Sequence, residues 1–318
     1  MTSNSPETTP IRIGTRRSAL AMAQTGVVAE QVSRASGREV ELVQITTTGD
    51  TSKESLASLG GTGVFASALR EALLADECDL VVHSLKDLPT APVPGLRIGA
   101  TPKRADARDV LVAQDGLTLD TLPQGARVGT GSPRRAAQLR AARSDFDVVD
   151  IRGNVDTRVG RVTDGDLDAV VLAAAGLGRL GRLDVVSQFF ELSEWPTAPG
   201  QGALALEVRD AAPRGIDQVL RKIDHATSRL TASAERAVLA RLEAGCAAPV
   251  GATAVIDASL LLLTATVLSP DGSRTLTSSH AGVLEGSPAE RDSLAAELGA
   301  RVADELLDQG AAEFAPLK

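Results

Sequence analysis

The stretch from residue 79 to residue 90 constrains this chain more than any other part of its sequence. Its apolar run, residues 80–82, is typical of a strand buried in a parallel sheet, because such strands are covered on both faces. The run stops abruptly in polar residues, and Pro89 ends any regular element there. Ligands of open α/β sheets lie just beyond the carboxyl ends of strands. Four polar side chains are predicted to stand at that place: His83, Ser84, Lys86 and Asp87.

Composition limits the class of protein and its partners. A chain of 318 residues exceeds what one hydrophobic core usually serves, so we expect two or three domains. Aromatic residues make up 2% and the formal net charge is -8, which argues against a nucleic-acid-binding surface and requires any anion site to be local. No apolar segment approaches the ~20 residues of a membrane span, and the first ten residues have no signal-peptide pattern. We therefore expect a cytoplasmic protein without a membrane partner, and a monomer, because no long apolar helix face stands out.

The two cysteines, Cys78 and Cys246, are far apart in sequence. Neither has a second Cys or His at metal-ligand spacing, so we expect no metal site and no disulfide framework. Cys246 follows a predicted helix end in a tight Gly-Cys-x-x-Pro loop. A free cysteine is often inert core packing, whereas a cysteine in a loop is more readily accessible for chemistry. The sequence pattern leaves both interpretations open.

Arginines recur where predicted strands end and helices begin. Two such motifs combine small hydroxyl residues with paired arginines: Thr15-Arg16-Arg17-Ser18 and Thr130-Gly131-Ser132-Pro133-Arg134-Arg135. Ser18 is a candidate helix cap, and Pro133 favours a helix start. Two arginines in a first helical turn oppose the helix dipole, at a cost of a few tenths of a kcal/mol that a bound anion would remove. We therefore expect a carboxylate or phosphate ligand, although Arg16 and Arg17 alone are equally compatible with solvated surface charges.

A further strand end adds to this cationic group. Residues 147–151 predict a strand that is followed by Arg152, and Arg158 lies one turn into the next helix. These strand ends should share one rim, which brings together Arg134, Arg135, Arg152 and Arg158. Four arginines on one rim imply a ligand that carries several carboxylates or phosphates.

Turn-rich segments divide the chain. Residues 47–63 form a long Gly-, Ser- and Thr-rich connection, which is typical of a lid or a disordered segment. Residues 195–202 predict a linker or hinge, and residues 203–208 predict a strand that returns to the first sheet. Two α/β lobes joined in this way enclose a cleft, which is a preferred location for a small-molecule site. From residue 226 the pattern changes to that of a small α+β domain.

Five ordered motifs carry a resemblance to a known family. They are His83-Ser84-Leu85-Lys86-Asp87, Gly129-Thr130-Gly131-Ser132-Pro133-Arg134-Arg135, Arg152-Gly153-Asn154-Val155, Pro199-Gly200-Gln201-Gly202-Ala203 and Leu242-Glu243-Ala244-Gly245-Cys246. Together, over about residues 11–251, they resemble the hydroxymethylbilane synthases, also called porphobilinogen deaminases. Five motifs in the right order make this resemblance highly specific.

The resemblance implies a fold, a cofactor and a reaction. It implies an α/β protein with two doubly wound lobes like those of periplasmic binding proteins, at residues 11–105 with 200–224 and at 106–199, and a small α+β C-terminal domain at 225–318. It also implies a dipyrromethane cofactor joined by a thioether to Cys246. Such an enzyme links four porphobilinogen molecules head to tail onto this primer, losing ammonia each time, and then releases the linear hydroxymethylbilane by hydrolysis for haem biosynthesis.

The resemblance also assigns roles to residues. Asp87 matches the catalytic aspartate. The anchors for the acetate and propionate groups match Arg16, Lys86, Arg134, Arg135, Arg152 and Arg158. Supporting hydrogen bonds match Ser18, Ser84, Thr130, Ser132 and Gln201, and Phe65 matches a residue packed on a pyrrole ring, although core packing is its alternative role. The chain departs from the family pattern at Thr62, where a lysine is frequent, and at Gly131, where a hydroxyl residue is frequent.

Two other classes of function compete with this one. A non-catalytic, two-lobed binding protein for a polycarboxylate would use the same arginines without a covalent adduct. A nucleotide-binding protein would use the Gly-Thr-Gly-Ser turn at residues 129–132, but no Walker pattern is present.

Overall fold

The computed structural model describes residues 9–46, 63, 66–213, 215–245 and 248–317. Three expectations therefore lie outside the described residues: the roles of Phe65 and Cys246, and the lid over almost all of residues 47–63. Thr62 lies outside them as well. No helix in the described ranges is long and apolar enough to cross a membrane.

The helices and strands alternate through the first two thirds of the chain. The strands are β1 (Ile11–Arg16), β2 (Val40–Ile45), β3 (Leu80–Ser84), β4 (Leu96–Ala100), β5 (Asp109–Ala113), β6 (Arg127–Gly129), β7 (Asp147–Val149), β8 (Ala169–Ala173), β9 (Gln188–Phe189), β10 (Leu204–Arg209), β11 (Val250–Asp257), β12 (Leu260–Leu268) and β13 (Thr275–Val283). The helices are α1 (Ala19–Ser36), α2 (Ser67–Leu74), α3 (Pro133–Ala142), α4 (Val155–Thr163), α5 (Ala174–Arg179), α6 (Ile216–Ile223), α7 (Ala226–Arg241) and α8 (Pro288–Asp308).

The first two sheets have the same strand order. One sheet runs β2-β1-β3-β10-β4 and the other β7-β6-β8-β5-β9. In each sheet the first three strands are parallel, and the fourth pairs antiparallel with both of its neighbours. Each fourth strand follows a segment that crosses from the other lobe, so β10 returns to the first sheet as predicted. This arrangement confirms the expected α/β fold with two doubly wound lobes.

The third sheet belongs to a separate layer. Strands β11, β12 and β13 form an antiparallel meander. The apolar face of this sheet packs on α7 and α8 in one buried cluster that includes Leu263, Val267 and Val302. This layer confirms the expected small α+β domain at the C-terminal end.

A buried ion pair ties the crossing segments to this third layer. Arg104 donates from both terminal nitrogens to Glu235, at 2.7 and 2.9 Å, and Glu235 is fully buried. The same carboxylate accepts the backbone N–H groups of Gly200 and Ala254, at 2.7 and 2.9 Å. Arg104 also donates through Nε to the carbonyl of Gln201 at 2.7 Å. Because buried charges need partners for all of their polar atoms, this network fixes where the three layers meet.

Candidate functional site

The turn after β3 presents one exposed carboxylate. β3 ends at Ser84, and a 3-10 turn, Leu85–Asp87, follows it. Leu85 and Leu88 are buried on either side, which leaves Asp87 exposed. Within the described ranges, the Asp87 carboxylate makes no hydrogen bond and no ion pair, so it is available to an N–H group of a ligand.

Lys86 contacts the segment that crosses from the second lobe back to the first. Its Nζ donates to Oε1 of Gln201 at 3.2 Å. Burial and, after it, the Arg135 charge lower the pKa of Lys86 to about 8, and the Asp87 carboxylate opposes this shift. The Lys86 ammonium group therefore loses its proton at a much lower pH than an exposed lysine does.

A fully buried carboxylate, Asp109, organises the cationic side of the site. It lies at the start of β5 and pairs with Arg134 Nη2 at 2.9 Å and Arg135 Nη2 at 2.6 Å. Gln201 Nε2 and Trp195 Nε1 also donate to it, at 2.8 and 3.1 Å. Burial alone would raise the pKa of Asp109, but the two guanidinium groups outweigh burial and hold the pKa well below its usual range. Asp109 is thus ionised and sets the orientation of both arginines.

The arginines retain unused donors. Nε of Arg134, Arg135 and Arg152 is buried in each case without a hydrogen-bond partner in the described parts of the chain. An unsatisfied buried donor on a charged group is costly, and a carboxylate is the partner that a guanidinium binds best. These three donors therefore fit a cofactor or substrate that carries several carboxylates.

Arg152 and Arg158 lie near the same group of charges. Arg152 is 3.7 Å from Asp150, and Arg158 donates through Nε to the carbonyl of Gly153 at 2.9 Å. Burial, followed by the Arg135 and Arg152 charges, lowers the pKa of Arg158. The predicted convergence of these arginines is therefore present in the geometry. The Asp87 carboxylate opposes this lowering of the Arg158 pKa.

Three of the predicted hydroxyl residues are used by the chain itself. Ser18 caps α1, Ser132 caps α3 by accepting from the Arg135 N–H, and Thr130 accepts the N–H of Ser132 at 3.2 Å. These contacts place the arginines by fixing the helix starts. Ser84 is half-buried at the end of β3, and its hydroxyl makes no hydrogen bond within the described residues. Arg16 ends β1 and leads directly into α1.

Gln201 connects the two lobes. Its side chain is fully buried and uses its oxygen for Lys86 and Arg135, and its nitrogen for Asp109 and the carbonyl of Ala107. Lys86 belongs to the first lobe and Arg135 to the second. Gln201 therefore couples the position of the Leu85–Asp87 turn to that of Arg135.

Gly131 has a steric explanation. A Cβ built on this residue would lie 2.5 Å from the backbone oxygen of Ile151. Because a backbone atom cannot move aside cheaply, the close approach of the two strand ends requires glycine with this backbone. The departure from the family pattern at Gly131 thus accompanies tight packing of the Thr130 turn against the segment that leads to Arg152.

Sequence reasoning missed several residues of this site. Asp109 and Glu235 are fully buried carboxylates that pair with arginines, and Arg179 on α5 donates to the carbonyl of Gly202 at 2.7 Å. Burial lowers the pKa of Arg179 to about 10. The one available signal was an acidic residue at the start of an otherwise apolar strand, Asp109.

The fold and the site together define a two-lobed α/β protein in which Gln201 joins the buried arginines of one lobe to the turn of the other lobe that carries the exposed Asp87 carboxylate. A family model described as "Porphobilinogen deaminase, dipyromethane cofactor binding domain" matches residues 11–216, and "Porphobilinogen deaminase, C-terminal domain" matches residues 229–308. A porphobilinogen deaminase of Leifsonia xyli subsp. xyli is 66% identical over 312 residues, which cover 97% of this chain and 95% of the relative. One of Cutibacterium acnes is 53% identical over 326 residues, covering 97% of each.

This chain belongs to the porphobilinogen deaminase family. Its activity is that of a hydroxymethylbilane synthase, a transferase of porphyrin biosynthesis that condenses porphobilinogen and uses a dipyrromethane cofactor. The finding favours the enzyme over the binding-protein and nucleotide-binding alternatives. Among solved structures, the Bordetella pertussis BvgS periplasmic VFT2 domain aligns with 67% of this chain and 86% of its own at 14% identity and a TM-score of 0.40, which is too weak to add to the fold described above.

Proposed function

We propose that Asp87 is the catalytic carboxylate of this reaction and that Cys246 is the point at which the cofactor is attached. The observation that carries the first assignment is the exposed Asp87 carboxylate, unpaired within the described ranges, on a turn that is otherwise buried. The second rests on the match of Cys246 to the family motif. Cys78, the other cysteine, is fully buried, and burial raises the pKa of its thiol to about 11, which makes it a poor nucleophile.

The cationic rim is proposed to hold the acetate and propionate groups of substrate and cofactor. Arg134, Arg135 and Arg152 offer buried donors without partners in the described parts of the chain. Lys86 and Arg158 add charge from either side, and Arg16 is proposed as a further anchor. A charged hydrogen bond of this kind contributes about 1.5–3 kcal/mol. The dipyrromethane group, when bound, supplies the pyrrole carbon at which the chain grows.

Asp87 is proposed to act on the pyrrole nitrogen of the incoming porphobilinogen. Loss of ammonia from the aminomethyl group leaves a cation that is delocalised onto that nitrogen. A fixed carboxylate beside the N–H stabilises the positive charge as it develops. It can also accept the pyrrole proton and return it. A cationic side chain at this position would oppose the same charge, so the role requires an acid.

We also propose supporting roles, which rest on the family motif and, for Gln201, on its contacts with both lobes. Gln201 is proposed to keep Lys86 and Arg135 in register, and the hydroxyl residues Ser18, Ser84, Thr130 and Ser132 to set or supplement the anion sites. Phe65 is proposed to pack on a pyrrole ring.

We further propose a cytoplasmic monomer without a nucleic-acid partner. The net charge of -8 supports the absence of a polyanion-binding surface. The proposed domains are residues 11–105 with 200–224, residues 106–199 and residues 225–318. Sheet membership supports this division, and so does the gap between the two matched family regions, from residue 216 to residue 229.

The attachment at Cys246 is tested by intact mass under denaturing conditions. We expect the native protein to carry an added mass equal to two linked pyrrole units, because a thioether survives unfolding. Cys246→Ser should lack this mass, whereas the matched control Cys78→Ser should keep it. An adduct that persists in Cys246→Ser would refute the assignment, as would an unmodified native mass after incubation with porphobilinogen.

The role of Lys86 predicts a pH dependence of substrate binding. As the pH rises through the pKa of about 8, Lys86 loses its charge and no longer attracts a carboxylate. We expect the KM for porphobilinogen to rise by about tenfold or more well above this pH, since one charged hydrogen bond is lost. Lys86→Arg should flatten this rise, because guanidinium keeps its proton. The control Lys222→Arg, on the surface helix α6, should follow the native profile; an unchanged rise in Lys86→Arg would contradict the role.

A further inference from the structure

Arg236, an arginine of the third layer, binds the backbone of the turn that carries Asp87. Arg236 lies on α7 and donates through Nη1 to the carbonyl oxygens of Leu85 and Leu88, at 2.9 and 2.6 Å. Its Nη2 donates to the carbonyl oxygen of Pro89 at 2.8 Å. These three carbonyls belong to the backbone that immediately flanks Lys86 and Asp87. No other described residue donates side-chain hydrogen bonds to more than one carbonyl of this segment.

Apolar packing joins the turn to the helix that carries Arg236. Leu85, Leu88 and Ala232 of α7 share one buried cluster with Ala203 and Ala205. The turn is thus pressed against α7 by apolar contacts and fixed in orientation by hydrogen bonds. Apolar contacts alone are non-directional, so the carbonyl bonds decide how the turn is rotated.

The charge of Arg236 is used in an unusual way. Its guanidinium forms no ion pair within the described ranges, although most arginines of the lobes pair with a carboxylate. Glu207, whose charge acts on Arg236, is engaged by Arg70 at 2.9 Å and by His83 at 3.0 Å. Burial lowers the pKa of Arg236 to about 10, which still leaves it charged near neutral pH. Arg236 is a partly buried cation whose hydrogen-bond partners in the described ranges are three carbonyl groups, so its charge is solvated by the backbone of the turn.

We propose that Arg236 is a positioning residue that holds Asp87 in register with the cofactor. The proposal rests on the assignment of Asp87 and Cys246 made above. α7 ends at Arg241, and Cys246 follows five residues later in the sequence. The helix that contains Arg236 therefore also leads, in sequence, to the proposed attachment point. Through Arg236, the third layer sets the distance between the catalytic carboxylate and the growing chain.

The first test separates positioning from stability. In Arg236→Ala we expect kcat to fall by about 100-fold with KM changed less than threefold, because a misplacement of about 1 Å is enough for such a loss. The covalently loaded mass should be unchanged. Arg236→Lys should recover part of kcat. Guanidinium ion at low millimolar concentration should also restore activity to Arg236→Ala, since a cavity of about 210 Å³ lined by Leu85, Ser233 and Arg236 gives it access.

The matched control is Arg229→Ala. Arg229 lies two turns earlier on α7 and lines the same cavity, but it pairs with Asp224 and Asp292 rather than with the turn. We expect this variant to keep the native kcat and to show no response to guanidinium. A native kcat in Arg236→Ala would overturn the proposal. The proposal would also be overturned by a loss of kcat that parallels a fall in melting temperature and that neither guanidinium ion nor the substitution Arg236→Lys restores.

The second test is a double-mutant cycle with Asp87→Asn, measured as single-turnover rates. If Arg236 acts through Asp87, the double variant should be no slower than Asp87→Asn alone. Multiplicative losses would show that Arg236 acts elsewhere and would overturn the proposal. The proposed function fails separately: a native rate in Asp87→Asn alone would remove Asp87 from the mechanism, and Arg236 would lose its role with it.

Discussion

Replacing Asp87 with asparagine is expected to lower kcat by about 10²–10⁴-fold, the usual contribution of a positioned acid or base. Asparagine has nearly the same shape but carries no negative charge, so it cannot stabilise the cation that forms when ammonia leaves. The side chain is exposed and makes no contact in the described ranges that the substitution would break. The free energy of unfolding and the covalently loaded mass should therefore remain native. Single-turnover measurement of ammonia release, together with a denaturant titration, checks both expectations.

The control for this variant is another exposed carboxylate of the same lobe. Asp76 pairs with Arg12 and Arg209 at the opposite end of the sheet from the catalytic turn. Asp76→Asn should retain the native kcat. Product formation by Asp87→Asn at a rate close to that of Asp76→Asn would remove Asp87 from the proposed mechanism.

Replacing Asp109 with asparagine is expected to be the most destabilising change at the site. The carboxylate is fully buried between Arg134 and Arg135, and its removal leaves two buried guanidinium groups without their counter-charge. Breaking a buried ion pair in this way costs about 3–5 kcal/mol of unfolding free energy. The cofactor should also load poorly, because both arginines lose the partner that orients them. Urea titration and intact mass after incubation with porphobilinogen measure the two effects.

A neighbouring carboxylate provides the control. Asp106 pairs with Arg108 at 2.8 Å, but both side chains are about one third exposed. Surface pairs of this kind contribute about 0–1 kcal/mol, so Asp106→Asn should be nearly native in stability and loading. If the free energy of unfolding of Asp109→Asn lies within about 1 kcal/mol of that of Asp106→Asn, Asp109 does not organise the arginines around it.

Local sequence patterns were sufficient for the fold because each strand and helix start is encoded over a few residues. The apolar run before His83 predicted β3, and the Ser132 and Pro133 pair predicted the start of α3, where the structure places both. The convergence of Arg134, Arg135, Arg152 and Arg158 followed from the rule that strand ends share an edge. Such inferences need no knowledge of which segments meet in space.

The partners of these residues could not be predicted in the same way. Asp109 is 26 residues from Arg135 and 92 from Gln201, so nothing local connects them. The sequence suggested arginines that only bind ligand, whereas Arg134 and Arg135 also pair with one buried carboxylate, Asp109. Arg236 gave no signal at all, because its partners are carbonyl groups nearly 150 residues away. Contacts of this kind exist only once the whole fold has formed.

The return of β10 to the first sheet has a consequence for synthesis of the chain. All strands of the second lobe lie within residues 109–189, so its sheet can close as soon as that segment leaves the ribosome. In the first lobe, β3 and β4 have no contact with each other until β10, residues 204–209, emerges to pair with both. Until then β3 has an unpaired edge, which is a site for aggregation. The lobe that is translated first must therefore be the later of the two to complete its sheet.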